Sequence, residues 1–359
     1  MRSGWVGMGP ETIAFEKELA DFVEAPHVVT VSSCTAALFL SLLACGVKAG
    51  DEVICPSLTW CSTANAALYL GAIPVFADVD AETLSLTPES IAAKVTDRTR
   101  AVLVVHFGGL AVDVDAVRKA IPGKLPIIED AAHALGAHYP DGKPVGSSGN
   151  LCCFSFYANK NLSTGEGGAV AVHDTKAAER IQSLRQHALP LDAWKRFTHP
   201  QTMLLSNQLT ELGYKMNYTD LQACIGRVQL RRQREFAEVR HAVAATYREQ
   251  LGTLRPQIAF QRDCTSGCHA LHLFVVMLPI EQITSSREEV ILRLRARNIG
   301  ATIHYAPLHT MPLYAAESKR APLPVTERIG KTCITLPISA SMSKQDAVDV
   351  IQAFEASYR

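Results

Sequence analysis

The residues best suited to covalent chemistry lie in the stretch 150–170, NLCCFSFYANKNLSTGEGGAV. Leu151 to Phe156 reads as an apolar strand, a turn then carries Ser155 and Lys160, and Gly165, Gly167 and Gly168 lead into a second apolar strand. An ammonium at the end of a buried strand is costly unless it is paired or neutralised. Desolvation favours the neutral amine, which is the nucleophile that carbonyl chemistry requires. A serine just upstream can hold a phosphate at the same place. The plain alternative is a surface-turn lysine beside a flexible glycine loop.

The elements that must position this lysine can be read along the chain. Glu11 to Val23 has helical spacing, Val28 to Val31 is a short strand, and Ser32, Ser33, Cys34 and Thr35 lead into an apolar helix, Ala36 to Cys45. A Ser/Thr cluster there is first an N-cap, and the same geometry presents N–H groups and a positive dipole end to an anion. Strands follow at Glu52–Cys55, Ile73–Phe76, Ala101–Val105 and Leu125–Ile128, with helices at Cys61–Leu70, Pro88–Val95 and Val114–Ile121 between them. Continuous Val/Ile strands alternating with helices predict a mostly parallel sheet covered on both faces. Ligands of such sheets sit at the carboxyl ends of the strands. Cys34-Thr35, Trp60, His106 and Asp130 all fall there, and Lys160 follows another strand.

A helix is expected at Lys176–His187, an irregular stretch at Pro190–Met216, and one long helix from Thr219-Asp220 to Leu251. Leu271–Leu278 and Ala301–Tyr305 read as strands, and Ser286–Arg297 and Lys344–Tyr358 as helices. The division expected is a large domain, 1–230, and a linking helix with a small α+β domain, 231–359.

Composition excludes several classes. Lys+Arg and Asp+Glu are both 35, which gives no electrostatic case for nucleic acid or an anionic membrane. No run approaches the roughly 18 apolar residues of a membrane span. The start, MRSGWVGMGP, lacks the apolar stretch of a signal peptide, so a cytoplasmic location is expected. The ten cysteines mostly lie inside apolar runs, as small buried hydrophobes do in a reducing compartment. Cys264, Cys268, His269 and His272 fit no common zinc spacing, so no metal is expected.

An amine, an acid, an aromatic ring, a histidine and phosphate donors together are what pyridoxal 5′-phosphate needs. Its aldehyde wants Lys160, and its pyridine nitrogen wants a carboxylate, Asp130, so that the ring can act as an electron sink. Trp60 or His133 could stack on the ring. The helix start at Thr35-Ala36 and the Ser155 hydroxyl could hold the phosphate. Each has a bland alternative: Asp130 as a helix cap for Ala131-Ala132, and Trp60 as plain core.

The segments VSSCTAALFL, GDEVICPSLTWCSTANAALYLGAIPVFADVD, IIEDAAHALGA, FSFYANKNLSTGEGG, ELGYKMNYTDLQACIGRVQL, HLFVV and IHYAPLH occur in this order. Together they resemble the DegT/StrS sugar aminotransferases, fold-type-I pyridoxal-phosphate enzymes, from about Gly4 to the C-terminus. The combination PSLTW, EDAAHA and GYKMNYTD is most similar to enzymes that aminate C4 of UDP-linked 4-keto sugars, such as the UDP-4-amino-4-deoxy-arabinose type. The resemblance implies that Lys160 holds the cofactor as a Schiff base and moves a proton, and that Asp130 pairs with the pyridinium. It implies Trp60 and His133 on the ring, and Thr35, Ala36 and Ser155 on the phosphate. It also implies Asn217 reaching the site of the neighbouring subunit in a homodimer, and His304, Tyr305, His309 and His187 towards the sugar. L-glutamate would be the amino donor and a nucleotide sugar the acceptor. Two rivals stay open: a cofactor-binding regulatory or scaffold protein without turnover, and an aminotransferase for a free keto sugar or cyclitol.

Overall fold

The computed structural model describes residues 5–123, 125–189, 194, 198, 209, 211–262, 269–314 and 322–358. The first elements are α1 (Pro10–Phe22), β1 (His27–Val31), α2 (Cys34–Ala44), β2 (Glu52–Pro56), α3 (Cys61–Leu68) and β3 (Ile73–Ala77). They are followed by α4 (Pro88–Ala92), β4 (Thr99–Val105), α5 (Val114–Ala120), β5 (Ile127–Asp130), β6 (Leu151–Ser155), β7 (Gly168–Val172) and α6 (Thr175–Leu184). The seven strands form one sheet in the order β1-β7-β6-β5-β4-β2-β3. β7 is antiparallel to both its neighbours, and the other pairings are parallel. The expected mostly parallel mixed sheet is therefore present.

Alternation along the strands builds a core on each face, as a period of two residues requires. Val102 and Val104 of β4 join one cluster with Ile54, Phe154 and Tyr218, while Ala101 and Leu103 join the other with α2 and Cys153. α2 is apolar nearly all round, CTAALFLSLLA, and is buried accordingly. Its N-terminus is thereby fixed against the sheet.

The remaining described elements are α7 (Asp220–Arg231), α8 (Gln233–Leu251), β8 (Ala259–Phe260), β9 (Phe274–Met277), α9 (Arg287–Ala296), α10 (Pro324–Thr332), β10 (Cys333–Leu336) and α11 (Lys344–Tyr358). The small sheet has the order β10-β9-β8, all antiparallel. α8, α9 and α11 pack on it through Tyr247, Leu251, Leu294 and Phe354.

The structure departs from the sequence reading at several elements. The single helix expected to Leu251 is two, broken at Arg232, where ψ is 2°. Ala223 and Leu230 of α7 pack with the large sheet, whereas Val243 and Tyr247 of α8 pack with the small one. On that change of core we propose the division 1–230 and 231–359. β5 starts at Ile127, after Pro126, which has no N–H for the ladder, so Glu129 and Asp130 lie inside the strand. Leu271 has a φ of 48° and cannot be strand, so β9 starts later. Ala301–Tyr305 makes only a bridge, Thr302 with Thr335. Much of the irregular stretch 190–216 lies outside the described residues.

Candidate active site

The strand ends and the first turn of α2 enclose a cavity of about 450 Å³. Its lining includes Thr35, Trp60, Asp130, His133, Ser155, Lys160, His304 and Tyr305. Eight of the twelve residues singled out from sequence thus converge. They come from both sheets' connections, which is why no single motif revealed the set.

Asp130 ends β5 and is buried. Oδ2 accepts from Thr63 Oγ1 at 2.7 Å, and Oδ1 accepts from Ala132 N at 3.2 Å. Thr63 Oγ1 is in turn 2.8 Å from Thr59 Oγ1, so the carboxylate sits at the end of a hydroxyl chain. The Cys34 thiol approaches Oδ1 to 3.9 Å. In place of a helix for Asp130 to cap there is a turn, in which Ala134 N donates to Ala131 O at 2.9 Å, and the carboxylate lines the cavity. Burial pushes its pKa up, opposed by the Thr63 and Ala132 hydrogen bonds and the Lys160 charge. A carboxylate in this state gains from a cation in the cavity.

Lys160 lies on the loop that joins antiparallel β6 and β7. Phe156 N to Gly167 O at 2.9 Å and Thr164 N to Phe156 O at 2.9 Å close that loop, and Lys160 N turns back on Tyr157 O at 2.9 Å. The side chain is half-buried. Burial lowers its pKa, with Cys34 and Asp130 acting the other way. Nζ is 3.4 Å from His272 Nε2.

α2 begins at Cys34, two residues earlier than expected, with Ser33 as its N-cap: Ser33 Oγ accepts from Ala36 N at 3.1 Å. Ala36 N is thus engaged, and the N–H groups of Cys34 and Thr35 are the ones in the first turn that no intrahelical carbonyl can reach. With Ser155, itself a cavity residue, they gather donors of the kind an anion needs at one corner of the cavity. Gly168 permits it: a Cβ there would lie 2.5 Å from the Ser33 carbonyl carbon and 2.6 Å from Cys34 N.

His133 is buried, its Nε2 3.1 Å from the Tyr305 hydroxyl and its Nδ1 without a partner. Burial, then Lys160, push its pKa well down, so the ring is neutral. Trp60 precedes α3 and is 61% exposed, 5.9 Å from Tyr305 between ring centroids. It stands at the mouth, not in the core. His304 Nδ1 is 2.9 Å from Thr335 Oγ1, and its pKa is pushed down to about 4 by burial and by Lys160.

Four expected residues lie off this lining. Ala36 is the third residue of α2, its N–H taken by the Ser33 cap. Asn217 donates through Nδ2 to Tyr218 O at 3.0 Å, outside its own chain's cavity. His187 is exposed at a left-handed position, φ 63°. His309 is buried, its Nδ1 accepting from Ser57 Oγ at 2.7 Å, where it ties the 308–310 turn to the loop after β2.

Sequence reading missed Thr63 and Asn161, and weighed His272 only as a metal ligand. Thr63 looks like any small helix residue, and His272 like the start of a strand. Of the cysteine–histidine group, Cys264 and Cys268 lie outside the described residues, and His269 Nδ1 accepts from Leu271 N at 3.0 Å. His106, though at a strand end, points away: its Nε2 donates to Glu129 at 2.8 Å, which also accepts from Tyr139, Ser148 and Asn150.

The cavity suits pyridoxal phosphate on several counts. It pairs a desolvated amine with a buried carboxylate that forms no salt bridge among the described residues, and free N–H groups of the α2 start lie on the same wall. His133 Nδ1 is a buried polar atom that a ligand could satisfy.

Comparison with known proteins agrees. The pattern of the DegT/DnrJ/EryC1/StrS aminotransferase family matches residues 1–355. The chain is 41% identical over 358 residues to the spore coat polysaccharide biosynthesis protein SpsC of Bacillus subtilis, with 98% of this chain and 91% of that protein covered. The crystal structure of S. venezuelae DesV in complex with a ketimine intermediate superposes with a TM-score of 0.88 at 34% identity, over 100% of this chain and 92% of DesV. Spr1654 of Streptococcus pneumoniae in its PLP form gives 0.87 at 27% identity, over 99% and 93%. Among the described residues no helix is long and apolar enough to cross a membrane.

Proposed function

Because the chain belongs to the DegT/DnrJ/EryC1/StrS aminotransferase family, and is therefore a pyridoxal-phosphate-dependent sugar aminotransferase, we propose the following reaction. The amino group of L-glutamate moves to a keto carbon, C4, of a UDP-linked keto-deoxy sugar. The observation that carries this reading is Lys160 and Asp130 lining one cavity with the start of α2. The likeness to SpsC supports a place in polysaccharide biosynthesis. Exposed aromatic faces at the mouth, Trp60 and Tyr157, suit a sugar or base ring. The working unit is a cytoplasmic homodimer in which Asn217 serves the neighbouring site.

When bound, pyridoxal phosphate supplies an aldehyde for amines and a ring that accepts the electron pair of the carbon losing its proton. Lys160 would hold it, and Asp130 would keep its ring nitrogen protonated. Thr63 and the Ala132 N–H fix Asp130, so the negative charge is preorganised rather than brought up at reaction. Cys34 N–H, Thr35 N–H and Ser155 would anchor the phosphate. His133, kept neutral by burial, presents an imidazole face without adding charge. Lys160, an amine whose pKa burial lowers, would be able to take a proton from one atom and return it to another on the same face.

The test is a half-reaction screen. Protein loaded with cofactor is bleached in its visible band by L-glutamate, then mixed with a panel of keto sugars. Return of the band with UDP-4-keto sugars is the expected result. Return only with free keto sugars or cyclitols would contradict the nucleotide-sugar reading.

A further inference from the structure

His272 belongs to the segment that leads into β9 of the small sheet, yet it reaches the lysine of the large one. Ala270 and Leu273 in this segment donate backbone hydrogen bonds to carbonyls of the 107–110 turn: Ala270 N to Gly109 O at 2.9 Å and Leu273 N to Gly108 O at 3.1 Å. Arg240 Nη1 donates to Leu271 O at 3.2 Å. The backbone under His272 is therefore held from both sides.

The tautomer of His272 follows from its neighbours. Asn161 donates through Nδ2 to the Ala270 carbonyl at 2.8 Å, and a carbonyl can only accept, which fixes the amide's orientation. Asn161 Oδ1 then faces His272 Nδ1 at 3.2 Å. An amide oxygen can only accept, so Nδ1 carries the hydrogen. Nε2 is left as a lone pair, and it is this atom that stands 3.4 Å from Lys160 Nζ. The His133 ring lies against the other side, 4.5 Å between centroids, and blocks movement away.

We propose that His272 is a positioning residue for Lys160: it accepts one Nζ hydrogen at Nε2, in the tautomer Asn161 dictates, and so aims the amine's reactive lone pair into the cavity. The chain's two sheets are thereby coupled at the cofactor lysine. Burial and the Lys160 charge keep His272 itself neutral, so it orients the amine without retaining its proton. The other ionisable groups around this pair are Asp130, Cys34, His133, His304 and Arg240.

The inference rests on Lys160 as the cofactor lysine, so its test is run on cofactor-free protein and has readouts besides activity. Nitrogen-15 NMR of histidine-labelled wild-type protein should show His272 protonated at Nδ1; protonation at Nε2 overturns the proposal whatever the variants do. Trace acetylation of Lys160 against pH, read by peptide mass spectrometry, should then be compared in wild type, His272→Phe and His272→Gln. An acceptor favours the ammonium, so losing it in His272→Phe should lower the Lys160 pKa by about one unit. The glutamine, which keeps an acceptor, should restore most of the wild-type profile. Superimposable profiles for wild type and His272→Phe, or equal shifts in both variants, would overturn the role. A Lys160 that titrates as proposed but never takes the cofactor would instead overturn its assignment as the cofactor lysine.

Discussion

Lys160 was legible from sequence because a cation at the end of an apolar strand needs an explanation, and desolvated amine chemistry supplies one. Asp130 was legible for the same reason at the end of a neighbouring strand. Asp130→Asn should leave the fold intact, since an amide can keep the contact with Thr63, and should lower kcat by about a hundredfold or more in steady-state assays. His272 was not legible, because its meaning depends on Asn161, 111 positions away. Trp60 was expected on the ring or in the core and stands exposed at the mouth. The histidines also set acid stability. His304 titrates at about 4 when folded and at about 6.5 when unfolded. Between these values the unfolded chain binds more protons, so stability rises with pH across that window and is lost as pH falls through it. His133 and His272, both shifted down, act with the same sign. His304→Gln should flatten this limb by up to about 3 kcal/mol, measured as urea unfolding of cofactor-free protein at several pH values.

At the scale of elements, the sheet followed from short Val/Ile runs alternating with helices, and the capped start of α2 from a Ser/Thr cluster ahead of an apolar run. What did not follow is how elements cap one another over distance. Thr219-Asp220 opens the expected helix, but only Thr219 caps α7, in a capping box with Gln222. Asp220 caps α1 instead: Oδ1 accepts from Gly9 N at 2.8 Å, Thr12 N at 2.9 Å and Thr12 Oγ1 at 2.7 Å. Asp220→Ala removes these acceptors together and should cost about 2–4 kcal/mol in denaturant unfolding. Gly168→Ala tests the seat of α2. Its methyl cannot fit against Ser33 and Cys34 without moving the helix start, so it should cost about 1–3 kcal/mol and weaken cofactor binding in a titration. Unchanged cofactor affinity would remove the helix start from the phosphate site.

For the whole molecule, α7 presents Leu221, Ile225 and Val228 about half exposed at helical spacing, and Ile13 of α1 is equally open. Such a stripe beside Asn217, which stands outside its own cavity, supports the shared-site homodimer. The double substitution Ile225→Lys, Val228→Lys should yield monomers in light scattering and weaken cofactor binding with it; a monomeric wild type would contradict this assembly. The most direct test of the central claim is chemical. Protein loaded with pyridoxal phosphate should be reduced with borohydride, digested, and mapped by mass spectrometry. The reduced cofactor is predicted on Lys160 and absent from Lys160→Ala; its attachment to a different lysine, or to none, would contradict the assignment of this site.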